Sequence, residues 1–233
     1  MKIEFQPCGM IDMEGAYMRE IRSVERTYGS MNSTKQELIA VAIPEFGKHG
    51  FEAVGTRAIA EQAGAALSAI AYHFGSKHGL YLACAEHIAE RLATALSQVD
   101  YERGEPKDKA EAIALCKSIV DAMCRIMTSP ESEAWSLFIV REQQNPTDAL
   151  SLIGKHTIDP VFKTLGHCIA ICRPELREDE RITLAALLFG MPTVMRNARA
   201  GLARQFGVED LEPVHHRLFE QQIGSLVEKA LDC

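Results

Sequence analysis

Apolar residues along this chain recur at spacings of three and four, the period of an amphipathic helix, and scarcely anywhere in the strict alternation of a half-buried strand. Ser33 or Thr34 can cap a first helix, with Glu37 in the reciprocal capping-box position and Leu38, Ala42 and Phe46 on one face. Pro44 removes a donor, which predicts a bend near Ala40 to Pro44 and closure at Gly47 or Gly50. Thr56 caps a second helix that turns Ile59 and Ala63 inward, and Gly64 turns the chain. A third run, from about Leu67 to Phe74, places Ile70 and Phe74 inward and leaves Leu67, Ser68, Ala71 and Tyr72 on its other sides. Two short helices joined at a glycine make a helix-turn-helix, whose second helix suits a DNA major groove.

Beyond Phe74, Ser76 can cap a long helix to about Val99 with Leu80, Cys84, Ile88 and Leu92 in one stripe. Pro106 suits the first turn of the next, and a further helix spans about Glu131 to Gln144 with Trp135, Phe138 and Ile139. One from Asp148 is interrupted at Pro160 and resumes to Cys172; an apolar segment from Ile182 to Met195 bends near Pro192; a last helix covers about Pro213 to Leu231. The fold class is therefore all-α. Residues 1–33 read as a flexible N-terminal extension, 34–80 as a three-helix head, and 81–233 as a helical-bundle body joined to the head by the long helix.

With 47% hydrophobic residues there is ample material for a core, and only 6% aromatics argues further against a large sheet. No run of about 18 uncharged apolar residues and no signal-peptide layout occurs, so the expectation is a cytoplasmic protein with no membrane partner. The net charge of −7 disfavours a general polyanion binder, yet Lys35, Lys48, Arg57 and Lys77 balance Glu37, Glu45, Glu52 and Glu61 in the head. The acidity belongs to the body. Seven scattered cysteines suit reduced thiols; Cys168 and Cys172 beside His167 suggest a metal or redox site, with core packing as the simpler reading, and no metal or cofactor is expected. No nucleophile triad, paired carboxylates or phosphate-cradling loop points to an enzyme.

The run T-R-x-I-A-x-x-A-G from Thr56, followed by Y-H-F-x-S-K-x-x-L at Tyr72 to Leu80, resembles the DNA-binding head of the TetR family of bacterial transcriptional regulators. Phe138 to Thr147, FIVREQQNPT, is similar to the body of the CecR-type subgroup. The resemblance implies that Thr56, Tyr72, His73 and Lys77 meet phosphates and that Arg57 meets a guanine edge or a phosphate. A packed or N-capping imidazole is the other reading for His73. Leu67, Ser68 and Ala71 complete the DNA-facing set, the apolar ones against thymine methyls. Two positions depart from the family: Ala66 stands where a small polar residue caps the recognition helix, and Ala69 where Thr is common.

The family's mode of action implies a homodimer on a double-stranded, near-palindromic operator and a small-molecule effector in the body. Leu187, Phe189, Gly190, Val194, Leu218, Ile223, Leu226 and Val227 are the expected dimer contacts, unless they serve only the monomer core. Met123, Met127, Trp135, Phe138, Phe162, Leu165 and Met191 are expected to line an apolar pocket, with Arg141, His156 or His167 orienting the effector. The implied function is a ligand-released repressor; the alternative is an interaction module whose body recruits a protein.

Overall fold

The computed structural model describes residues 13–97, 99 and 105–232, with side chains from Ser33 onward. Helix α1 (Met13–Ala53) is followed by α2 (Thr56–Gln62), α3 (Leu67–Phe74) and α4 (Lys77–Leu96). The body contains α5 (Lys109–Thr128), α6 (Glu131–Gln144), α7 (Asp148–Ile153), α8 (Asp159–Cys172), α9 (Glu178–Gly190), α10 (Val194–Asn197), α11 (Arg199–Phe206) and α12 (Pro213–Asp232). No strand occurs among the described residues.

Local chemistry explains the starts of α4 and α5. Ser76 accepts from the Gly79 amide at 3.0 Å and so starts α4, while Asp108 accepts from the Glu111 amide at 2.9 Å and starts α5. Both helices are shorter than the spacing predicts: α4 stops at Leu96 rather than Val99, and α5 begins three residues past Pro106 because Asp108 is the better cap.

Three expectations are corrected. The first helix begins at Met13 and runs through Ser33 and Thr34 without using them as caps, since no helix breaker lies there; residues 1–12 fall outside the described set. No non-helical backbone appears from Ala40 to Pro44: Ala40, whose carbonyl loses its partner to the proline, is exposed and can be hydrated. The break falls at Gly50, one of the two closures the sequence offers, with φ +83°, a conformation that favours glycine. The segment from Asp148 to Cys172 is not interrupted at Pro160, because a π-helical turn (Gly154–Ile158) absorbs the irregularity and the proline lands in the first turn of α8. The bend near Pro192 is present as a 3₁₀ turn (Met191–Thr193).

One buried cluster runs through the chain, from Leu38, Ala42 and Phe46 of α1 through Leu80 and Ile88 of α4 to Ile119, Leu165 and Leu231 of the body. Head and body therefore share a core. At their junction, Gly47 of α1 lies so close to α6 that a Cβ there would stand 3.0 Å from the Phe138 amide nitrogen.

Candidate nucleic-acid interface and its coupling to the body

Helices α2 and α3 meet at a turn through Gly64 (φ +63°), closed by the Ala65 amide donating to the Ala60 carbonyl at 2.9 Å. Ile59, Ala60 and Ile70 are buried beneath it. The opposite face of α3 is open: Leu67 is 51% and Tyr72 70% exposed, and Ser68 and Ala71 are exposed beside them. These four residues converge on one outward surface. A large exposed tyrosine and leucine on an eight-residue helix form a surface shaped for a partner rather than for solvent.

Around that surface the other expected contacts are distributed unevenly. Gly55, not Thr56, occupies the N-cap of α2, so Thr56 is the first helical residue and its half-buried side chain stands at the positive end of the helix. Arg57 is exposed and its Nε donates to Glu61 Oε1 at 3.0 Å, a pairing that a phosphate or guanine would have to replace. Such an exposed pair contributes little in water, so the exchange is cheap. His73 is half-buried between the rings of Tyr72 (5.0 Å) and Phe74 (6.0 Å). Lys77 is not the free charge the sequence implies: its ammonium sits 4.6 Å over the Phe51 ring and donates to the Glu52 carbonyl at 3.3 Å, capping the end of α1. Ala66 occupies the N-cap of α3 and supplies no side-chain hydrogen bond.

Behind the head, the expected effector residues divide. Met123, Met127, Trp135, Phe138 and Leu165 are buried, and Phe162 and Met191 are half-buried. Three of the expected ligand groups lie elsewhere. Arg141 donates through Nε to the Gly47 carbonyl at 3.2 Å and through Nη2 to the Lys48 carbonyl at 2.9 Å, satisfying carbonyls that the break at Gly50 leaves open. His167 is exposed, 3.8 Å from Glu105, so it turns away from the buried Cys168 and Cys172 instead of joining them. His156 is exposed on a groove of about 470 Å³ between α4 and α7, with Glu86, Glu90 and Leu152. Among the described residues no group of three or more His, Cys, Asp or Glu is placed to hold a metal. Phe138 belongs to the junction: its ring lies 4.6 Å from that of Tyr81, which in turn meets Phe46 at 4.9 Å.

Beside Arg141, Glu142 is 1% exposed and fully engaged. One oxygen accepts the Tyr81 hydroxyl, and the other accepts the Thr147 amide (3.1 Å) and hydroxyl (2.8 Å) and the Leu150 amide (3.1 Å). The sequence alone suggests a pocket role for Arg141 and none for Glu142. The available signal was an adjacent charged pair directly after the apolar run Leu137 to Val140, which calls for partners on other elements.

The expected dimer residues also separate by exposure. Leu187, Val194, Leu218 and Leu226 are exposed, as are Ile182 and Val214 on the same helices. Ile223 and Val227 are corrected to core positions: they lie on the inner side of α12, buried within the chain. Phe189 is half-buried against Phe162, ring centroids 5.1 Å apart, and Gly190 is half-buried at the end of α9. A shallow groove of about 460 Å³ beside Leu187 is lined by Arg173, Thr183, Leu184 and Ala230.

Two family matches cover these regions. Residues 38–84 match the model for bacterial regulatory proteins of the TetR family, and residues 113–232, more than half the chain, match the C-terminal domain of the HTH-type transcriptional dual regulator CecR. The HTH-type transcriptional dual regulator CecR of Shigella flexneri is 38% identical over 141 residues, 58% of this chain and 63% of that protein. Among solved structures, a TetR-family transcriptional regulator from Streptomyces coelicolor superposes with a TM-score of 0.61 at 16% identity, covering 87% of this chain and 97% of the other. AibR, in complex with isovaleryl coenzyme A and operator DNA, gives a TM-score of 0.61 at 12% identity over 85% and 98% of the two chains.

Proposed function

Because this chain belongs to the TetR family of regulators, in the branch with a CecR C-terminal domain, we propose that it is a ligand-responsive repressor. It binds a near-palindromic operator as a homodimer in the cytoplasm and is released by a small molecule held in the body. The family is one of transcriptional regulators, not of enzymes.

The observation that carries this reading is the open face of α3, where Leu67, Ser68, Ala71 and Tyr72 stand outward on a buried support. Ser68 and Tyr72 offer hydroxyls, Leu67 and Ala71 offer methyl contacts, and Arg57 offers a fork close by; DNA shape supplies the rest of the specificity. Thr56, Tyr72 and His73 serve as phosphate contacts, while Lys77 serves the head's own structure. A second copy docks through the exposed leucines and valine of α9, α10 and α12 and sets the heads about one helical turn, roughly 34–36 Å, apart. AibR, solved in complex with isovaleryl coenzyme A and operator DNA, is a neighbour that holds a small molecule and DNA in one complex, which supports this reading.

The test is a genome-wide footprint followed by binding of the recovered site by Arg57→Ala and Tyr72→Ala. Each substitution is expected to weaken the operator complex by about 1–3 kcal/mol. Unchanged affinity in both variants would remove the assigned surface.

A further inference from the structure

Two buried nitrogen donors stand out in the body: Trp135 Nε1 and Arg196 Nε each have no hydrogen-bond partner among the described residues. Trp135 is 6% exposed and the Arg196 side chain 8%. They belong to one neighbourhood. Arg196 Nη2 donates to the Ser129 carbonyl at 2.6 Å and to Ser132 Oγ at 2.7 Å, and Ser132 lies one helical turn before Trp135 on α6.

The guanidinium is also short of negative charge. Its nearest ion-pair partner is Glu133, 3.9 Å from Nη1, a carboxylate on a 69% exposed side chain that stands equally far from Arg199. Arg199 in turn is forked onto Asp210. Burial and then the neighbouring Arg199 pull the pKa of Arg196 below the usual guanidinium range, the mark of a desolvated cation whose compensation is incomplete. Leaving one charge and two N–H groups in this state is costly, and an anion is the group that removes all three penalties at once.

Its surroundings set the rest of the ligand. Helix α10, which carries Arg196, packs on α5, and Met123 and Met127 of α5 and Met195 of α10 are buried. Unbranched thioether side chains re-pack readily around an apolar guest. One cation with two spare donors matches the two oxygens of a single carboxylate, whereas a doubly charged phosphate would need a second cation, and Arg199 is already committed.

We infer that Arg196 and Trp135 form the anchor of an effector subsite for an apolar monocarboxylic acid, its carboxylate on the two unpaired donors and its tail among the methionines of α5 and α10. This rests on the reading of the chain as a ligand-responsive regulator and names the chemical class of the ligand.

Trp135 is the single tryptophan, so its emission reports directly on the site. The full-length protein is titrated with sodium octanoate and with octan-1-ol, the uncharged counterpart of the same length. Octanoate is expected to change the emission saturably and to bind at least tenfold more tightly than the alcohol. Arg196→Gln, which keeps the reporter, is expected to abolish that preference; Trp135→Phe, followed by thermal shift, is expected to weaken octanoate several-fold and covers the case in which the arginine variant does not fold. Absence of octanoate binding, equal affinity for acid and alcohol, or an unchanged preference in the variants overturns the assignment. None of these results touches the repressor reading, which fails instead if no small molecule in a chemically broad screen alters operator binding.

Discussion

The Tyr81 hydroxyl donates to Glu142 Oε1 at 2.5 Å, joining the long helix that leaves the head to the helix of the body that packs against α1. Burial, and then the Glu142 carboxylate, push the phenol well above its ordinary pKa, so Tyr81 remains a donor throughout the accessible pH range. Removing that hydroxyl leaves one oxygen of a buried carboxylate without its partner. Tyr81→Phe is therefore expected to destabilise the fold by about 1–3 kcal/mol in urea unfolding, far more than the loss of an exposed hydroxyl. A stability equal to that of the parent would mean that Glu142 is satisfied without Tyr81.

The uncapped start of α3 offers a gain rather than a loss. Ala66 already has the extended backbone of an N-cap residue (φ −68°, ψ 142°), so Ala66→Ser adds an acceptor with no rearrangement. A rise of about 0.5–2 kcal/mol in stability is expected, read as a higher melting temperature. An unchanged melt would show that the first turn of α3 does not limit stability.

Exposed positions of α9 and α12 and a buried position of α12 predict opposite failures. Leu226→Glu together with Leu187→Glu should leave each chain folded by circular dichroism and shift the protein to monomers in light scattering, because both side chains are exposed. Ile223→Glu places a charge in the core and should unfold the chain outright. A dimer surviving the double substitution would place the interface elsewhere.

Between about pH 6.5 and 5.5 the stability should fall as pH falls, with His216 as a contributor. Burial, then Arg199, lowers its pKa from the ordinary imidazole value, so the folded state binds the proton less readily than the unfolded chain does. The contribution is fully present above about pH 6.5, the unfolded value, and is lost as pH drops through the window below it. Glu131 and Asp210, whose pKa values are lowered by Arg91 and Arg199, act in the same direction but only in the carboxylate range further down. His216→Asn should flatten the slope of melting temperature against pH in the upper window; an identical slope would assign it to other groups.

How much of this was legible in sequence depended on the range of the interaction. Helix α6 spans Glu131–Gln144 and α3 spans Leu67–Phe74, the bounds that periodicity predicts, because apolar spacing and turn residues act within a few positions. The proline expectations at Pro44 and Pro160 failed because a local rule cannot tell whether the deprived carbonyl faces water or whether a π turn has moved the proline into a first turn. Arg141 was out of reach: its acceptors lie more than ninety residues away, and only the assembled fold shows that its fork meets the end of α1. The same holds for Ile223 and Val227, apolar residues whose inner or outer placement on α12 is decided by the helix's packing on α5.

Arg141 and Glu142 are neighbours in the chain, about 100° apart around α6, and each holds a different root of the head: Arg141 the end of α1, Glu142 the start of α4 through Tyr81. A helix gripping two roots acts as a beam with two bolts. Both roots thus depend on the placement of one helix, so a displacement of α6 reaches the end of α1 and the start of α4 together.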